Sequence, residues 1–406
     1  MNFIENGSVT SPKGFKGAGI CGSVKPSNTT KRDIALIASD VICNTAAVFT
    51  KNLVKSSAIT VTQQNIENGK AQAVVVNSGN ANTCNADGIE KAERMCELAA
   101  EALNIDKHDV IVASTGVIGQ PLPIEPFEKS VPELGKIISE DGGTDVAEAI
   151  MTTDTVKKET AVSVEIGGKT VTIGAVAKGS GMIHINMGTM LSFVTTDAAI
   201  SSEMLKSALS EAVEQSYNMV SVDGDTSTND TLAILANGLA ENEEIITRNE
   251  DYRAFTDALI AVCKSMAKKL AKDGEGATKL IVCTVSGAKT VIDAKGVAKA
   301  VICSSLVKAA MFGSDANWGR VLCAIGYSGC DVDVNLVDVS FKSKAGEIPV
   351  CKNGAGIEFS EELAKEILTE NEIEIIVNLN DGDSNAEAYG CDLTYDYVKI
   401  NGDYRT

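Results

Sequence analysis

A glycine-rich loop at residues 178–191 constrains the fold of this chain more than any other stretch of its sequence. Residues 170–177, which precede the loop, alternate between polar and apolar side chains, and residues 192–196 are rich in β-branched and aromatic ones. Both patterns are typical of strands. Glycine tolerates positive φ and lets backbone N–H groups turn toward a bound oxygen atom. The sequence therefore predicts two strands joined by a loop that can bind such an atom.

Thr189, within this loop, carries a hydroxyl that directly follows a glycine and is flanked by Met187, Met190 and Leu191. An apolar, uncharged setting suits a buried nucleophile, and Gly188 can adopt the strained backbone that self-cleavage requires. A structural loop with a hydrogen-bonded threonine fits the same residues. The stretch alone leaves both interpretations open.

The composition is that of a globular protein with little affinity for polyanions. The 406-residue chain can form two ordinary domains or one large one, and 44% of its residues are hydrophobic. Its formal net charge of −19 disfavours nucleic acids and anionic membranes, because both would repel it. No apolar run approaches the roughly 20 residues of a membrane span, and residues 1–6 lack the features of a secretory signal. We therefore expect a cytoplasmic protein.

The cysteines and paired aspartates do not predict a metal site. Eleven cysteines are present, but none forms a C-x-x-C pair. Most stand in apolar runs, as Cys283 and Cys323 do, and we expect small buried residues in a reducing compartment. Cys84 lacks a basic neighbour and is a weak candidate nucleophile. Asp223 and Asp225 lack the spacing of a calcium loop, and the histidines are too few for a zinc site.

The chain has only two histidines, which restricts the chemistry open to an acyl-transfer enzyme. His108 lies in a polar turn and is expected at the surface, whereas His184 lies beside the loop glycines and could line a site. If neither acts as the base, a terminal α-amine, whose unperturbed pKa is roughly 8, is the natural substitute. Lys178 is predicted to bind a substrate carboxylate, although a solvated lysine also fits this position.

Apolar periodicity elsewhere predicts a mixed α/β protein. Further predicted strands cover residues 33–38, 46–50, 71–77, 110–114, 161–166 and 280–286. Predicted helices cover residues 88–103, 201–218 and 249–272, with Ser201 and Asn249 as N-caps. The apolar run at 71–77 is nearly continuous, so both faces of that strand are expected to be covered. Residues 220–230, rich in hydroxyls and carboxylates, are predicted to form a loop.

Residues 178–191 resemble the Lys-Gly-x-Gly-Met-Ile-x-Pro-Asn-Met-Ala-Thr-Met-Leu signature of the glutamate N-acetyltransferases, also called ornithine acetyltransferases. Two positions differ: Ile185 stands where the signature has proline, and Gly188 where it has alanine. The Asp-Gly-Glu-Gly-Ala-Thr-Lys turn at 273–279 and the ending at 398–406 also resemble that family. The resemblance extends over essentially the whole chain.

The resemblance implies that the chain cleaves itself between Gly188 and Thr189, which leaves Thr189 as an N-terminal nucleophile. It assigns Thr115 and Gly116 to an oxyanion hole, where the residues alone would also allow a plain turn after a strand. The positions that it implies in contact with substrate are Thr152 or the neighbouring Thr153, Glu275, Asn401 and the terminal Thr406. From the residues alone, Glu275 is equally an acid solvated on a turn that ends a helix.

The implied function is transfer of an acetyl group from N-acetylornithine to glutamate in arginine biosynthesis, by a ping-pong reaction through an acyl-enzyme on Thr189. No cofactor is expected, and acetyl-CoA is a candidate second donor. The implied fold is a layered α/β/β/α sandwich. In it, fragments 1–188 and 189–406 form one intertwined catalytic unit and assemble as an α2β2 heterotetramer.

Two other functions remain open at this stage. An N-terminal-nucleophile aminopeptidase or amidase of similar fold would hydrolyse the acyl-enzyme and release acetate without an acceptor amine. An uncleaved relative would bind ligands without catalysis, and the changes at Ile185 and Gly188 leave room for it. The mass of the purified chain and the fate of the acetyl group distinguish these functions from the transferase.

Overall fold

The computed structural model describes residues 1–184 and 190–402. Ile185, the proposed cleavage residues Gly188 and Thr189, and the terminal Thr406 lie outside the described residues. The chain divides into two compact units. The larger unit comprises Met1–Gly179, Asn186–Tyr217 and Thr226–Met266, and the smaller unit comprises Ser180–Ile185, Asn218–Asp225 and Ala267–Thr406. Each unit therefore takes in segments from both sides of the proposed cleavage site.

Strands and helices alternate along the described chain. The strands are β1 (Asn2–Phe3), β2 (Phe15–Ile20), β3 (Ile34–Phe49), β4 (Lys70–Asn77), β5 (Val110–Ser114), β6 (Lys158–Ile166), β7 (Lys169–Lys178), β8 (Ile183–His184), β9 (Leu191–Thr196), β10 (Ser221–Thr226), β11 (Thr231–Ala236), β12 (Leu280–Ala288), β13 (Asp338–Ser343), β14 (Gly346–Lys352), β15 (Ala355–Gly356), β16 (Glu372–Asn378) and β17 (Ser384–Cys391). The helices are α1 (Ser57–Asn65), α2 (Gly88–Leu103), α3 (Glu125–Ile137), α4 (Gly143–Ala149), α5 (Ser202–Glu214), α6 (Glu250–Lys272), α7 (Val291–Cys303), α8 (Ser305–Phe312), α9 (Trp318–Gly326), α10 (Glu361–Leu368) and α11 (Tyr395–Gly402).

One sheet organises the larger unit, and its nine strands are counted among the described residues. The order is β1-β6-β7-β9-β11-β3-β4-β5, and β2 pairs with β3 beside that path. β4 is parallel to β5 and β9 is parallel to β11, while the other pairs are antiparallel. The strands predicted on either side of the glycine-rich loop are confirmed as β7 and β9, which pair directly.

Both faces of β4 are buried, as its continuous apolar run predicts. Ala73 and Val75 pack into a cluster with residues of α1, α2 and α3, whereas Val74 and Val76 pack on the opposite face with residues of α4. Burying one such side chain contributes roughly 1.5–3 kcal/mol. β5 is covered in the same alternating way, so helices on both faces hold the strand that leads into Thr115.

In the smaller unit, six of the described strands form a second sheet in the order β15-β14-β13-β16-β12-β17. β12 is parallel to β16 and antiparallel to β17, and α7 packs against β12 and β17. β8 and β10 form a separate two-stranded sheet. The turn between α6 and β12 carries Glu275, and Gly276 allows this turn with a φ of +68°. The predicted mixed α/β fold is confirmed.

The predicted helix caps are confirmed for two helices. Asn249 caps α6, because its side-chain oxygen accepts a hydrogen bond from Tyr252 N at 2.9 Å. Ser201 caps α5 through Met204 N at 3.3 Å, although α5 ends at Glu214 and a short 3-10 turn follows. The apolar residues on one side of α6 are fully buried: Phe255, Leu259, Val262, Cys263, Met266 and Leu270. Among residues 1–184 and 190–402, no helix has the length and apolarity that a membrane crossing needs.

Two predictions about local structure are wrong. The strands expected at 33–38 and 46–50 are one strand, β3, whose exposed residues 40–42 coincide with an irregularity in its pairing with β4. β3 continues because β2 pairs with its first part and β11 with its last. The loop expected at 220–230 begins with β10, where Asp223 accepts hydrogen bonds from the backbone N–H groups of Met182 and Ile183.

Candidate active site

Thr115 and Gly116 lie directly after β5, on a turn built against residues 77–83. Thr115 N donates to Asn77 O at 2.9 Å. Gly116 has a φ of +133°, and a Cβ atom on it would lie 2.8 Å from Asn80 N. A side chain at position 116 would strain the backbone and push against the neighbouring turn. Both residues are therefore held in place, as groups that stabilise an oxyanion must be.

The asparagine-rich turn at 77–83 supports this position. Asn77 Oδ1 accepts hydrogen bonds from two backbone N–H groups of the turn, and Asn77 Nδ2 donates to Ser114 Oγ at 2.7 Å. Asn229 Nδ2 donates to Ala81 O and to Ser114 O, each at 2.6 Å. These buried amides tie the turn to the end of β5. Turn building therefore accounts for the asparagine contacts in this segment.

Lys178, the last residue of β7, lies beside Thr115. Its ammonium nitrogen is 3.5 Å from Thr115 Oγ1, at the outer limit of a hydrogen bond. Only 8% of Lys178 is exposed, so the solvated lysine allowed by the sequence is excluded. The structure brings together two residues that the sequence selected for different reasons, one as an oxyanion donor and the other as a cation for a carboxylate.

Asp154 lies close enough to Lys178 to be affected by its charge, and sequence reasoning did not select this residue. Its side chain is fully buried, and Oδ1 accepts hydrogen bonds from Lys158 Nζ and Gly179 N, both at 2.7 Å. Burial alone raises the pKa of Asp154, but the charges of Lys178 and Lys158 and the Gly179 N–H outweigh it and lower the pKa to about 2. Asp154 is thus a carboxylate that fixes the start of the glycine-rich loop. We call Asp154, Lys158, Lys178 and Thr115 the Asp154 cluster.

Thr152 and Thr153 lie on the half-buried turn that precedes Asp154. Thr152 N donates to Asp154 Oδ2 at 3.0 Å, and Thr152 O accepts from Lys31 Nζ at 2.8 Å. Burial lowers the pKa of Lys31, against the opposing effects of nearby aspartates. Backbone contacts thus hold the turn, with both threonines, at the Asp154 cluster.

In the smaller unit, Glu275 is buried against Ser180 and Gly181 of the glycine-rich loop. The residue is 8% exposed, and its N–H donates to Ser180 O at 2.8 Å. A Cβ atom on Gly181 would overlap the Glu275 carboxylate, so glycine is what allows this close approach. Asn401, on α11, donates from Nδ2 to Glu275 Oε2 at 2.8 Å. The solvated acid expected from the residues alone is excluded, and two residues assigned to substrate contact lie together.

His184 is half-buried and engaged with neighbouring side chains of the smaller unit. Its Nδ1 lies 3.1 Å from Ser221 Oγ and 3.6 Å from Cys303 Sγ. Burial and then the charge of Lys299 lower the pKa of His184, against the opposing effect of nearby aspartates. These factors favour a neutral imidazole at neutral pH. Sequence reasoning missed Ser221 and Cys303, because neither is close to His184 along the chain.

Other residues singled out in the sequence have simpler surroundings. His108 is exposed, as predicted, and so is Cys84. Cys283 is buried as expected, but Cys323 is exposed, which corrects the prediction. Cys323 lies on the outer face of α9, whose buried residues include Val321 and Ala324. Its apolar run forms a helix with one solvent-exposed face, and Cys323 lies on that face.

The hydroxyl of Thr115, the Gly116 N–H and the Lys178 ammonium, held at the end of β5, are the donor types that an acyltransferase needs. Sequence comparison specifies which one. The chain belongs to the ArgJ family, whose model matches residues 16–406. The sequence-based prediction of an acetyltransferase of arginine biosynthesis, related to the glutamate N-acetyltransferases, is confirmed.

Individual relatives match along almost their whole length. The arginine biosynthesis bifunctional protein ArgJ of Symbiobacterium thermophilum is 53% identical over 401 residues, which cover 98% of this chain and 99% of that protein. The protein of the same name from Caldanaerobacter subterraneus is 51% identical, covering 99% of this chain and 100% of that protein. The crystal structure of ArgJ from Bacillus halodurans is 47% identical with a TM-score of 0.50, and the match covers 52% of this chain and 97% of that chain.

Proposed function

We propose that the chain cleaves itself between Gly188 and Thr189 and then transfers acetyl groups from N-acetylornithine to glutamate through the Thr189 hydroxyl. The Asp154 cluster is the observation that carries this proposal. It joins Thr115, the candidate oxyanion donor, to the end of β7, the strand that leads into the loop of Thr189. The signature match at 178–191 supplies the nucleophile.

Maturation is an acyl shift followed by hydrolysis. Thr189 Oγ attacks the Gly188 carbonyl carbon, the peptide C–N bond breaks, and the acyl group passes to the oxygen as an ester. Water then hydrolyses the ester. The products are a carboxylate on Gly188 and a free α-amine and hydroxyl on Thr189.

Acetyl transfer uses the same hydroxyl. The Thr189 amine accepts its proton while Oγ attacks the acetyl carbonyl of N-acetylornithine. The Thr115 hydroxyl and the Gly116 N–H stabilise the oxyanion, and each such donor typically lowers the barrier by about 3 kcal/mol. Ornithine leaves, and the amine of glutamate then attacks the acetyl-enzyme. No cofactor enters these steps.

We assign two of the substrate contacts by pairing groups of opposite charge. The Lys178 ammonium pairs with the α-carboxylate of the substrate, beside the hydroxyl of Thr115. Glu275, whose carboxylate accepts a hydrogen bond from the neutral Asn401 amide, pairs with the side-chain ammonium of the ornithine moiety. Thr152 or Thr153, Asn401 and Thr406 make the remaining contacts that the family resemblance implies.

Two further elements of the proposal concern the second donor and the assembly. The relatives above are named bifunctional, so we include acetyl-CoA as a second donor to glutamate. After cleavage, fragments 1–188 and 189–406 stay associated, because β7 and β9 pair in register from Ile173↔Thr196 to Lys178↔Leu191. The solved relative corresponds to about half of this chain, the size of one such fragment. Two copies of each fragment form the α2β2 assembly.

Intact-mass spectrometry of the purified protein beside a Thr189→Ala variant tests the nucleophile. We expect two fragments in the wild type, the second beginning at Thr189, and a single chain in the variant. Labelled acetyl should then pass from N-acetylornithine to glutamate through a labelled 189–406 fragment. An uncleaved wild-type chain would refute the mechanism, and label released as acetate in the presence of glutamate would point to a hydrolase instead.

A further inference from the structure

None of the steps above uses the buried carboxyl group at position 230. Asp230 immediately precedes β11 and is 2% exposed. Thr231 N donates to Met190 O at 2.9 Å, and Thr231 is in register with Leu191 of the parallel strand β9. Parallel neighbours lie about 4.8 Å apart. Asp230 is therefore beside Met190, the residue that follows Thr189 in the chain.

The environment of Asp230 favours a protonated carboxyl group. Among the described residues, Asp230 Oδ2 is buried and has no hydrogen-bond partner. Burial raises the pKa of Asp230 well above its ordinary range, despite the opposing effects of Ser227, Lys178, Thr50 and the Met190 N–H. A buried polar atom without a partner is uncommon and often marks a functional group.

We propose that Asp230 is the acid–base partner of the Thr189 amino group, an inference that rests on the proposed function. The hydrogen bond from Thr231 N to Met190 O and the pairing of Thr231 with Leu191 place Asp230 beside Met190, one residue from the nitrogen atom that self-cleavage releases. By covalent geometry, that nitrogen lies within about 3.7 Å of Met190 N. The unpartnered Oδ2 has the capacity to accept a further hydrogen bond.

The proton transfers balance at each stage. As the Gly188–Thr189 C–N bond breaks, the proton of Thr189 Oγ moves to the leaving nitrogen, and Asp230 donates a second one. The nitrogen leaves as an ammonium, and Asp230 becomes a carboxylate beside it. Before acetyl transfer, the ammonium returns that proton to Asp230. The neutral amine can then accept the Oγ proton. Asp230 thus holds the proton that would otherwise keep the amine charged and unable to act as a base.

The charged groups near Asp230 decide the direction of its pH effect. Lys178, on β7, is the cation whose charge favours the Asp230 carboxylate, and it is in turn compensated by Asp154 beside Lys158. With Asp230 present, the amine can lose its proton internally at neutral pH. Without it, the amine must lose the proton to water, and transfer should increase with pH through the amine pKa of roughly 8.

The test compares Asp230→Asn with Asp197→Asn. The first substitution keeps an oxygen for the Met190 N–H but removes the exchangeable proton. Asp197 is a matched control, because it is 1% exposed, burial raises its pKa, and its oxygens accept from the backbone N–H groups of Thr172 and Lys13. General acid–base groups typically contribute 10²–10⁴-fold. We expect Asp230→Asn to slow self-cleavage by about 10²-fold in a time course of intact masses, with Asp197→Asn at the wild-type rate.

The outcomes separate this inference from the function on which it rests. Cleavage of Asp230→Asn at the wild-type rate, with an unchanged pH profile of transfer, would overturn the role of Asp230 and leave Thr189 as the nucleophile. An uncleaved wild type would instead remove the proposed function. If Asp230→Asn does not fold, infrared spectra of the uncleaved Thr189→Ala chain test whether Asp230 is protonated. A protonated carboxyl band at pH 7 that persists in the Thr189→Ala, Asp197→Asn chain supports the assignment, and its absence overturns it.

Discussion

Asp154 in the larger unit and Glu275 in the smaller unit are both buried acidic residues that form a hydrogen bond with the glycine-rich loop, but the partners of their carboxylates differ. Asp154 accepts hydrogen bonds from a lysine and a backbone N–H, and a second lysine charge lies nearby. The Glu275 carboxylate accepts a hydrogen bond from the neutral Asn401 amide, and the backbone N–H of Glu275 donates to Ser180 O in the loop.

From this difference we infer that the Asp154 carboxylate has a structural role in the site, whereas the Glu275 carboxylate binds a ligand. The negative charge of Asp154 is compensated within the protein, so its role is to fix the backbone at Gly179 and to balance the charges of Lys158 and Lys178. Glu275 is oriented by a neutral amide, so its charge is available to a cationic substrate group. Substitutions of Asp154 and of Glu275 test the two sides of this contrast.

Asp154→Asn should have the largest effect. Removing one partner of a buried ion pair leaves uncompensated charge and typically costs 3–5 kcal/mol, here because Lys158 and Lys178 would face a neutral amide. Urea unfolding of the Thr189→Ala chain measures the loss without interference from cleavage. Asp40→Asn is the control, because Asp40 pairs with Lys16 at an exposed position and its loss should cost less than about 1 kcal/mol. Equal losses in the two variants would contradict this structural role.

Gly116→Ala should reduce acetyl transfer by about 10²–10³-fold, as expected when an oxyanion donor is displaced. The added Cβ atom would meet the backbone of residues 79 and 80 at a φ that side chains avoid. Gly119→Ala isolates the conformational part, since Gly119 has a φ of +75° but nothing within 4 Å of its Cβ position. Similar turnover numbers for the two variants would show that position 116 has no special role.

Acid should weaken the fold through Asp154. Its folded pKa of about 2 lies below the unfolded value of about 3.9, so the folded state binds fewer protons and stability rises with pH. From about pH 5 down to pH 2, a contribution of roughly 2–3 kcal/mol should disappear. Asp154→Asn should lack this dependence. An identical acid limb in both proteins would assign the effect to other carboxylates.

Glu275→Gln should have the smallest effect on stability and a selective effect on substrate. The glutamine oxygen can still accept the Asn401 hydrogen bond, so the free energy of unfolding should change by less than about 1 kcal/mol. The KM for N-acetylornithine should rise by about tenfold or more, since a charge-assisted hydrogen bond contributes about 1.5–3 kcal/mol. N-Acetylnorvaline, which lacks the terminal amine, should show no such difference. Equal changes in KM for both acetyl donors would contradict an ion pair between Glu275 and the substrate.

Local patterns of the sequence were sufficient for much of the fold. Period-two alternation located β7, and β-branched and aromatic residues located β9. The apolar spacing of 249–272 located α6 together with its Asn249 cap. These features depend on neighbours within a few residues. The division of β3 was wrong because its continuity depends on β2 and β11, partners that its own residues do not reveal.

The sequence predicted the site residues that lie within motifs. It did not predict those whose role depends on contacts with residues distant along the chain. Thr115, Lys178 and Glu275 were selected from motifs, and the structure places them in held, partly or fully buried positions. Asp154 was missed because its importance comes from Lys178 and Gly179, about two dozen residues further along the chain. The burial of Glu275 was equally invisible, because it depends on the absence of a side chain at Gly181.

The pairing of β7 with β9 has a consequence for how a cleaved molecule would unfold. Before cleavage, loss of structure and its recovery are first-order events within one polypeptide. After cleavage between them, the two strands would belong to separate polypeptides, so recovery would require their encounter. The melting temperature of the mature protein should therefore increase more steeply with its concentration than that of the Thr189→Ala chain. Cleavage of a single peptide bond thus adds one association step to folding.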